Sequence, residues 1–522
     1  MTELSAADLT TIALYFVIVV ALGLWVGRGE RNAEDFFLAG RKLPWFLIGL
    51  SYFASNMSGA SFVGLTAAAY EYGLVVFNYE WTATLVLVVF ALFMLPVFLR
   101  MRLFTVPEYL EQRFDARTRR AYSAFTIVAV LLIDTAGALY AGGVVITVAF
   151  PAVSLFQAST VLAVVAGLYT IFGGLRAVVV TDALQAVLII VGGVIILVVG
   201  LVEVGGWQEL MEGLEPERRE LIRPVGDPFL PWPGILGVIL LGFYYWALNQ
   251  YFVQRALGAR SVDDGRRGAL FGGLLKLPNL FVVIVPGVIA YRLFPDLDHP
   301  DLAFPALAFE LLPVGLRGLI LTALVAAIMS SLDSALNAAA SLATMDFVRP
   351  WRSHVSGRAL LAIGRVFTTA AMVLAVAYVP IIREFGTLFE YFQSTLAYVT
   401  PPVVAVYLLG LVWRRATAAG GFWGLAVGVA VGLLLFVAQQ LSGVWTAAGL
   451  PPLHYTSMAL AMFAFTGVMV IGVSLLDAPP PASLSEATVR RTDLLAGTDA
   501  RRVLTEAAAL SALMVALVIA FW

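Results

Sequence analysis

Apolar runs of about 20 residues recur along the whole chain, each ended by charged residues or by Gly and Pro. At about 1.5 Å per helical residue, each run is long enough to cross a hydrocarbon layer about 30 Å thick. The runs begin near Leu9, Trp45, Val75, Tyr122, Ser154, Val178, Trp232, Ala269, Leu316, Ala359, Leu388, Phe422, Ser457 and Val503, which makes about fourteen candidate spans. They are continuous, so they predict helices and exclude the in–out alternation of a membrane β-barrel. A helix also satisfies its own backbone, as lipid demands. The expected fold class is an all-α polytopic membrane protein, with residues 1–522 forming one transmembrane domain and no separate soluble one. The first run, Leu9 to Gly27, follows the acidic leader MTELSAAD without a small-residue cleavage site, so a retained helix is expected, not a signal peptide. The linker-like stretch is DAPPPASLSEAT, from Asp477 to Thr488.

Two runs are interrupted in a particular way. The second contains SNMSGAS, Ser55 to Ser61, a small, polar, Gly-containing patch in an apolar helix. The seventh contains GFYYWALNQY, Gly242 to Tyr251, rich in polar aromatics and amides. Interruptions at corresponding places in two halves point to a transporter built from inverted repeats, in which unwound backbone supplies carbonyls to a cation. The alternative is ordinary close packing of helices through glycine.

Composition agrees with the pattern: 61% of the 522 residues are hydrophobic and 13% charged, outside the range of soluble domains. The absence of cysteine excludes disulfides and thiolate metal sites. The three histidines, His299, His354 and His454, are far apart and in polar connections, which argues against a histidine-based catalytic or zinc site. A formal net charge of −2 gives no footprint for nucleic acid. Basic clusters at Arg28–Lys42, Arg100–Arg120, Arg255–Arg267, Arg349–Arg358, Arg414–Arg415 and Arg490–Arg502 all fall on one side if both termini face outward. The connection from Glu203 to Leu230 fits least well, because it mixes acid and base.

Polar residues inside the apolar runs are the candidate chemistry. ALVAAIMSSLDSALNAAASLATMDF, from Ala323 to Phe347, carries Ser330, Ser331, Asp333, Ser334 and Asn337 at its centre. An aspartate at the bilayer centre costs about 2.5–3.5 kcal/mol even on the lenient insertion scale. Ala327, Ser330, Ser331 and Ser334 follow i, i+3, i+4, i+7 and share one face, with Asp333 and Asn337 beside it. A carbonyl and two hydroxyls on adjacent turns suit a small hard cation. Calcium would want several carboxylates, so sodium fits better. The alternative for each serine is a bond back to the preceding turn. Glu80 in FNYEW, Lys276 in FGGLLKLPNL, Asp182 in VVVTDALQ and Asp134 in LLIDTAGALYAGG are the other intramembrane charges. Each is a functional candidate, or else a structural ion pair or snorkelling side chain.

ASNMSGASFVGLTAAAYEYG, YTIFGGLRAVVVTDALQ, YYWALNQYFVQRALGARS and AAIMSSLDSALNAAASLATMDF, in this order, resemble the sodium/solute symporter family, in particular its bacterial sodium–galactose and animal sodium–glucose transporters. The resemblance covers almost the whole chain. It implies a leucine-transporter-type fold, a five-helix unit repeated with inverted topology. The two repeats would cover about 43–203 and 232–412, with additional helices at 9–27, 419–441, 455–475 and 503–522. It implies a sodium site formed by the carbonyls of Ala54, Met57 and Ala327 and the hydroxyls of Ser330 and Ser331. A second sodium site, found in some members, would use Asp182, Ser330, Asp333 and Ser334. Asp333 stands where such members can have serine, which leaves sodium and a proton both open there. Glu80, Lys276 and Gln393 match sugar-binding polar residues, Tyr245 matches the aromatic closing the sugar from the inside, and Asn56 matches an asparagine beside it. Ser61 stands where relatives have Gln or His, Ala83 replaces a serine, and Gly242 replaces an asparagine.

The expected activity is sodium-driven import of a neutral sugar or polyol across the cell membrane, by a protein acting as a monomer. The alternative is symport of an amino acid or organic acid, which Glu80 would repel. A transport-derived sensor is disfavoured because no long signalling segment is present. An enzyme is disfavoured because no nucleophile–base–orienter set is found. Both termini are expected outside. A reporter active only in the cytoplasm, fused after Trp522, should therefore be silent in whole cells, and a signal from it would reverse the topology.

Overall fold

The computed structural model describes residues 5–27, 32–58, 61–351, 356–382, 388–441, 444–451 and 453–522. His354, together with Gly59 and Ala60 of the SNMSGAS patch, lies outside the described residues. Helices dominate, and the β pairing among the described residues is confined to two isolated bridges, Leu43 with Ala259 and Arg223 with Pro231. The helices are α1 (Ala6–Val26), α2 (Trp45–Asn56), α3 (Ser61–Arg100), α4 (Ala116–Val148), α5 (Leu155–Gly167), α6 (Gly174–Glu203), α7 (Gly234–Leu248), α8 (Gln250–Leu257), α9 (Val262–Leu293), α10 (Leu316–Trp351), α11 (Ala359–Ile382), α12 (Tyr391–Val399), α13 (Pro401–Val412), α14 (Ala418–Gln439), α15 (Tyr455–Leu476) and α16 (Ala500–Ala520). Among the described residues ten helices are long and apolar enough to cross a membrane, or up to 12 if each bent pair, α7–α8 and α12–α13, is one span. The fold is therefore polytopic and helical.

Both sequence interruptions are real breaks. Helix α2 stops at Asn56, and Met57 leaves helical geometry with ψ 64°. Helix α7 gives way at Asn249, whose ψ of 126° is extended, and α8 departs at 46°. Helix α3 turns at Gly73, whose φ of 82° favours glycine, and a Cβ there would meet the Arg218 backbone at 2.4 Å.

The site-bearing helices are wrapped by the others. In α10, 89% of the most apolar stretch is buried, against 17% in α1, so α10 sits inside protein while α1 faces lipid. This is why α10 carries so many polar side chains without meeting hydrocarbon. Helix α2 packs closely on α9 because the contact is made by glycines. A Cβ on Gly268 would lie 2.7 Å from the Ile48 Cβ, and one on Gly49 would lie 2.9 Å from the Phe271 Cβ. Small residues let two backbones approach, which is how packing is gained where lipid offers no hydrophobic drive.

Several basic residues of the sequence clusters are not surface charges. Arg113, Arg255 and Arg266 are fully buried. Arg113 donates to the carbonyls of Gly410, Trp413 and Ala416 at 2.8, 2.9 and 2.9 Å, capping the C-terminal end of α13. Arg266 donates to the carbonyls of Ala91, Leu494 and Ala496. Arg119 pairs at 2.5 Å with Asp346, which also accepts from Thr105 at 2.9 Å.

The start of α10 is capped from α1. The Asp8 carboxylate accepts from the N–H groups of Gly315 at 3.0 Å and Gly318 at 2.6 Å, where a helix has no partners of its own. Asp8→Ala should cost about 2 kcal/mol through the lost cap. The thermal midpoint of the purified protein should fall, less so for Asp8→Asn. An unchanged midpoint in Asp8→Ala would show that the cap contributes nothing.

Candidate functional site

A cavity lies between the two broken helices. It is lined by Asn56, Ser58 and Ser61 from the first break, Tyr79 and Glu80 from α3, Tyr245 and Trp246 from the second break, and Phe389 and Gln393 near α12. Its empty volume, counting the open mouth, is about 730 Å³, within the range of small-molecule sites. Five of the six residues expected to bind substrate thus line one space. The sixth, Lys276 of α9, stands one layer behind and is completely buried.

The polar groups of the cavity are held from behind. Lys276 pairs with Oε2 of Glu80 at 2.5 Å and donates to the Asn56 side-chain carbonyl. Asn279, one turn beyond Lys276, donates to the same Glu80 oxygen at 2.5 Å and to the Met57 sulfur at 3.1 Å. The Lys276 ammonium also lies 5.0 Å from the centre of the Trp246 ring, within cation–π range. A buried carboxylate and ammonium are each costly alone, and their direct pairing with an amide on either side makes the burial tolerable. The Ser61 hydroxyl donates to the Asn56 carbonyl at 2.6 Å and so closes the broken end of α2.

Aromatic rings close the cavity at two ends. On one side Tyr245 accepts a hydrogen bond from Tyr251 at 2.7 Å and packs on Phe252. On the other, Tyr79 and Phe389 meet edge-on with ring centres 5.0 Å apart, and Phe229 stacks on Tyr72 at 3.9 Å. Phe229 belongs to the connection between α6 and α7. Its carbonyl lies 2.7 Å from Nε2 of His454, just before α15. Burial holds the His454 ring below its ordinary pKa, so the neutral tautomer protonated on Nε2 donates to that carbonyl.

The cation ligands are expected where α10 passes the first break. In a continued helix the Ser58 N–H would bond the Ala54 carbonyl and the Ser61 N–H the Met57 carbonyl. Instead Ser58 turns to Asn56 at 2.7 Å and Ser61 to Ser58 at 3.0 Å. The Ala54 and Met57 carbonyls are thereby released from the ladder. Ser331 of α10 crosses here, donating to the Ser55 and Ala327 carbonyls at 3.0 and 3.1 Å. Ser331 and the Ala327 carbonyl thus stand beside Ser55, the residue that follows Ala54 and lies two before Met57. Ser330 is turned away, its hydroxyl bonded to Asp182.

The second group of residues forms a different assembly. Asp182 of α6 is fully buried and accepts from Ser51, Ser55 and Ser330. Ser334 lies 3.0 Å from Ser55. The guanidinium of Arg255 stands among them, 3.2 Å from the Asp182 carboxylate. Asp333 follows Met329 by one turn on the face of α10 packed against Tyr15 of α1. Tyr15 in turn accepts from Gln185 at 2.9 Å. Asp134 lies beside the Asn249 amide at the second break.

Sequence reasoning missed Arg255, Asn279 and Trp246. Asn279 had a signal, since it follows Lys276 by three residues and shares its helix face. Arg255 was counted with the basic cluster that includes Arg260, yet it is buried within α8 while Arg260, past the helix end, is exposed.

Comparison with known proteins gives these sites a context. The profile of the sodium:solute symporter family matches residues 36–428. Sodium/glucose cotransporter 4 of Danio rerio is 32% identical over 525 residues, covering 92% of this chain and 80% of that protein. Sodium/glucose cotransporter 1 of Sus scrofa is 33% identical over 531 residues, covering 91% and 80%. Among solved structures, a Na+-coupled sialic acid symporter in a substrate-bound outward-open state superposes with a TM-score of 0.78 at 21% identity, over 91% of this chain and 99% of the other. A nucleobase-cation-symport-1 family transporter in a closed conformation gives 0.56 at 14% identity, over 88% and 99%. Profile and relatives alike span the two breaks, the cavity and α10, and this multi-pass membrane protein, a transporter and not an enzyme, belongs to the sodium:solute symporter family.

Proposed function

We propose that the protein is a sodium-coupled secondary symporter that imports a neutral sugar or polyol by alternating access. One observation carries the choice of substrate. Glu80 lines the cavity while Lys276 neutralises it from behind, so the occupant faces hydrogen-bonding groups without net charge. Asn56 and Gln393 add amides, and Tyr245 and Trp246 offer ring faces to a pyranose. An amino acid or organic acid would bring its carboxylate against Glu80, and among the described residues no lysine or arginine lines the cavity to meet it. The names of the relatives, sodium/glucose cotransporters, favour the same choice.

Sodium is proposed to sit among the carbonyls of Ala54, Met57 and Ala327 and the hydroxyl of Ser331, all hard oxygen donors. Ser330 would complete the set by turning from Asp182. A second cation position is proposed at Asp182, Ser330 and Ser334, with Asp333 nearby, for a state in which Arg255 has left the Asp182 carboxylate. We also propose that repeats at about 43–203 and 232–412 are related by inversion, with about fourteen crossings and both termini outside. The protein would then work as a monomer.

Proteoliposome uptake of labelled sugars and organic acids, under sodium, lithium or proton gradients, tests this directly. Sugar uptake driven by sodium alone is expected, and uptake of acids only would overturn the substrate class. Glu80→Ala and Lys276→Ala should each reduce uptake at least about 100-fold, because each leaves a buried charge unpaired at about 3–5 kcal/mol. Normal transport by folded Lys276→Ala would remove the basis for the polyol site.

Two further variants separate sugar from ion. Tyr245→Ala should raise the KM for sugar by about tenfold through loss of the covering ring, while Tyr245→Phe stays near wild type. Ser331→Ala should raise the half-saturating sodium concentration by about tenfold, as expected for one lost ligand. An unshifted sodium curve in Ser331→Ala would place the ion elsewhere.

A further inference from the structure

The oxygen cage around Asp182 is already filled by a cation of the protein itself. Its walls come from three helices: Ser51 and Ser55 on α2, Asp182 on α6, and Ser330 and Ser334 on α10. Arg255 enters from α8, the short half-helix beyond the second break. Both side chains are sealed from solvent, Arg255 being 1% and Asp182 0% exposed. Nη2 of Arg255 contacts Asp182 at 3.2 Å and also donates to Ser55 and Ser334. Nε donates to Ser51 at 2.5 Å, and Nη1 donates to the Tyr251 carbonyl of its own helix. The guanidinium therefore uses the oxygens that a small hard cation would need at this position.

We infer that Arg255 is a tethered counter-cation of Asp182 and competes with sodium for this cage. Two cations against one carboxylate in so deeply buried a site would repel strongly. An ion can enter only when the guanidinium leaves. In the arrangement described here the protein has one place for sodium, at the first break, and the second positive charge is built into the chain. Because Arg255 rides on α8, its withdrawal is also a displacement of the half-helix that continues from Tyr245. Occupation of the Asp182 cage is thereby linked to the aromatic end of the substrate cavity. The inference rests on the sodium coupling proposed above, but not on the identity of the substrate.

The test is equilibrium binding of radiolabelled sodium to the purified protein without sugar. Wild type should bind one ion per chain. Arg255→Gln should bind two, because the carboxylate is left without its partner. The double variant Arg255→Gln/Asp182→Asn should return to one, and its neutral pair also guards against loss of folding in the single variant. Two ions per wild-type chain would overturn the inference without recourse to any variant, and so would an unchanged count in folded Arg255→Gln. Ser331→Ala examines the other site separately: about tenfold weaker binding of the wild-type ion supports the ligand set at the first break, whatever Arg255 does, and unchanged binding removes that ligand set.

Discussion

The break in α2 at Met57 is the constraint on which the rest of the structure depends. Stopping a helix inside a membrane protein releases carbonyls that lipid cannot satisfy, at a cost of several kcal/mol for each group left bare. Every neighbouring feature answers that cost. Ser331 of α10 donates to the Ser55 carbonyl. The Ser61 hydroxyl donates to the Asn56 carbonyl. The sodium proposed at the Ala54 and Met57 carbonyls would answer the same cost, as a structural complement of the break as well as cargo. Helix α10 must be polar to serve this end, and α1, α6 and α11 shield it from lipid in consequence.

Three of the buried carboxylates follow the same rule, each with a cationic partner. Glu80 has Lys276, Asp182 has Arg255, and Asp346 has Arg119. Removing one partner of such a pair is far more costly than never having built it. Their persistence is therefore tied to what they arrange. The first pair fixes the wall of the cavity. The second joins four helices at the depth where the two breaks meet.

Much of this was legible in the sequence, for physical reasons that can be named. The breaks showed because Ser55–Ser61 and Gly242–Tyr251 put small polar and amide side chains inside runs that are otherwise apolar. Glu80 and Lys276 showed because isolated charges in such runs are rare. Their pairing did not show, since contacts between helices nearly two hundred residues apart leave no local pattern. Arg255 was hidden by position. It lies on α8 before the helix ends at Leu257, whereas Arg260, five residues on, lies past that end and is exposed. Ser330 was misleading in a different way. Its helix face suits the first break, but its hydroxyl is free to rotate, and in this structure it turns to Asp182.

The arrangement behind Glu80 has a consequence for recognition. Lys276 and Asn279 both end on the same carboxylate oxygen, Oε2, and neither takes Oε1, the other acceptor of a side chain that lines the cavity. That oxygen can only accept. The group placed against it must present a hydrogen, so an ether or a fluorine of the same shape would bring lone pair against lone pair. Leaving such an acceptor unmet in a closed site costs about 1–3 kcal/mol, or roughly 5- to 150-fold in affinity. If the proposed polyol occupies the cavity, its hydroxyl at this one point would be selected for its proton and not for its oxygen, a distinction that size and overall polarity do not make.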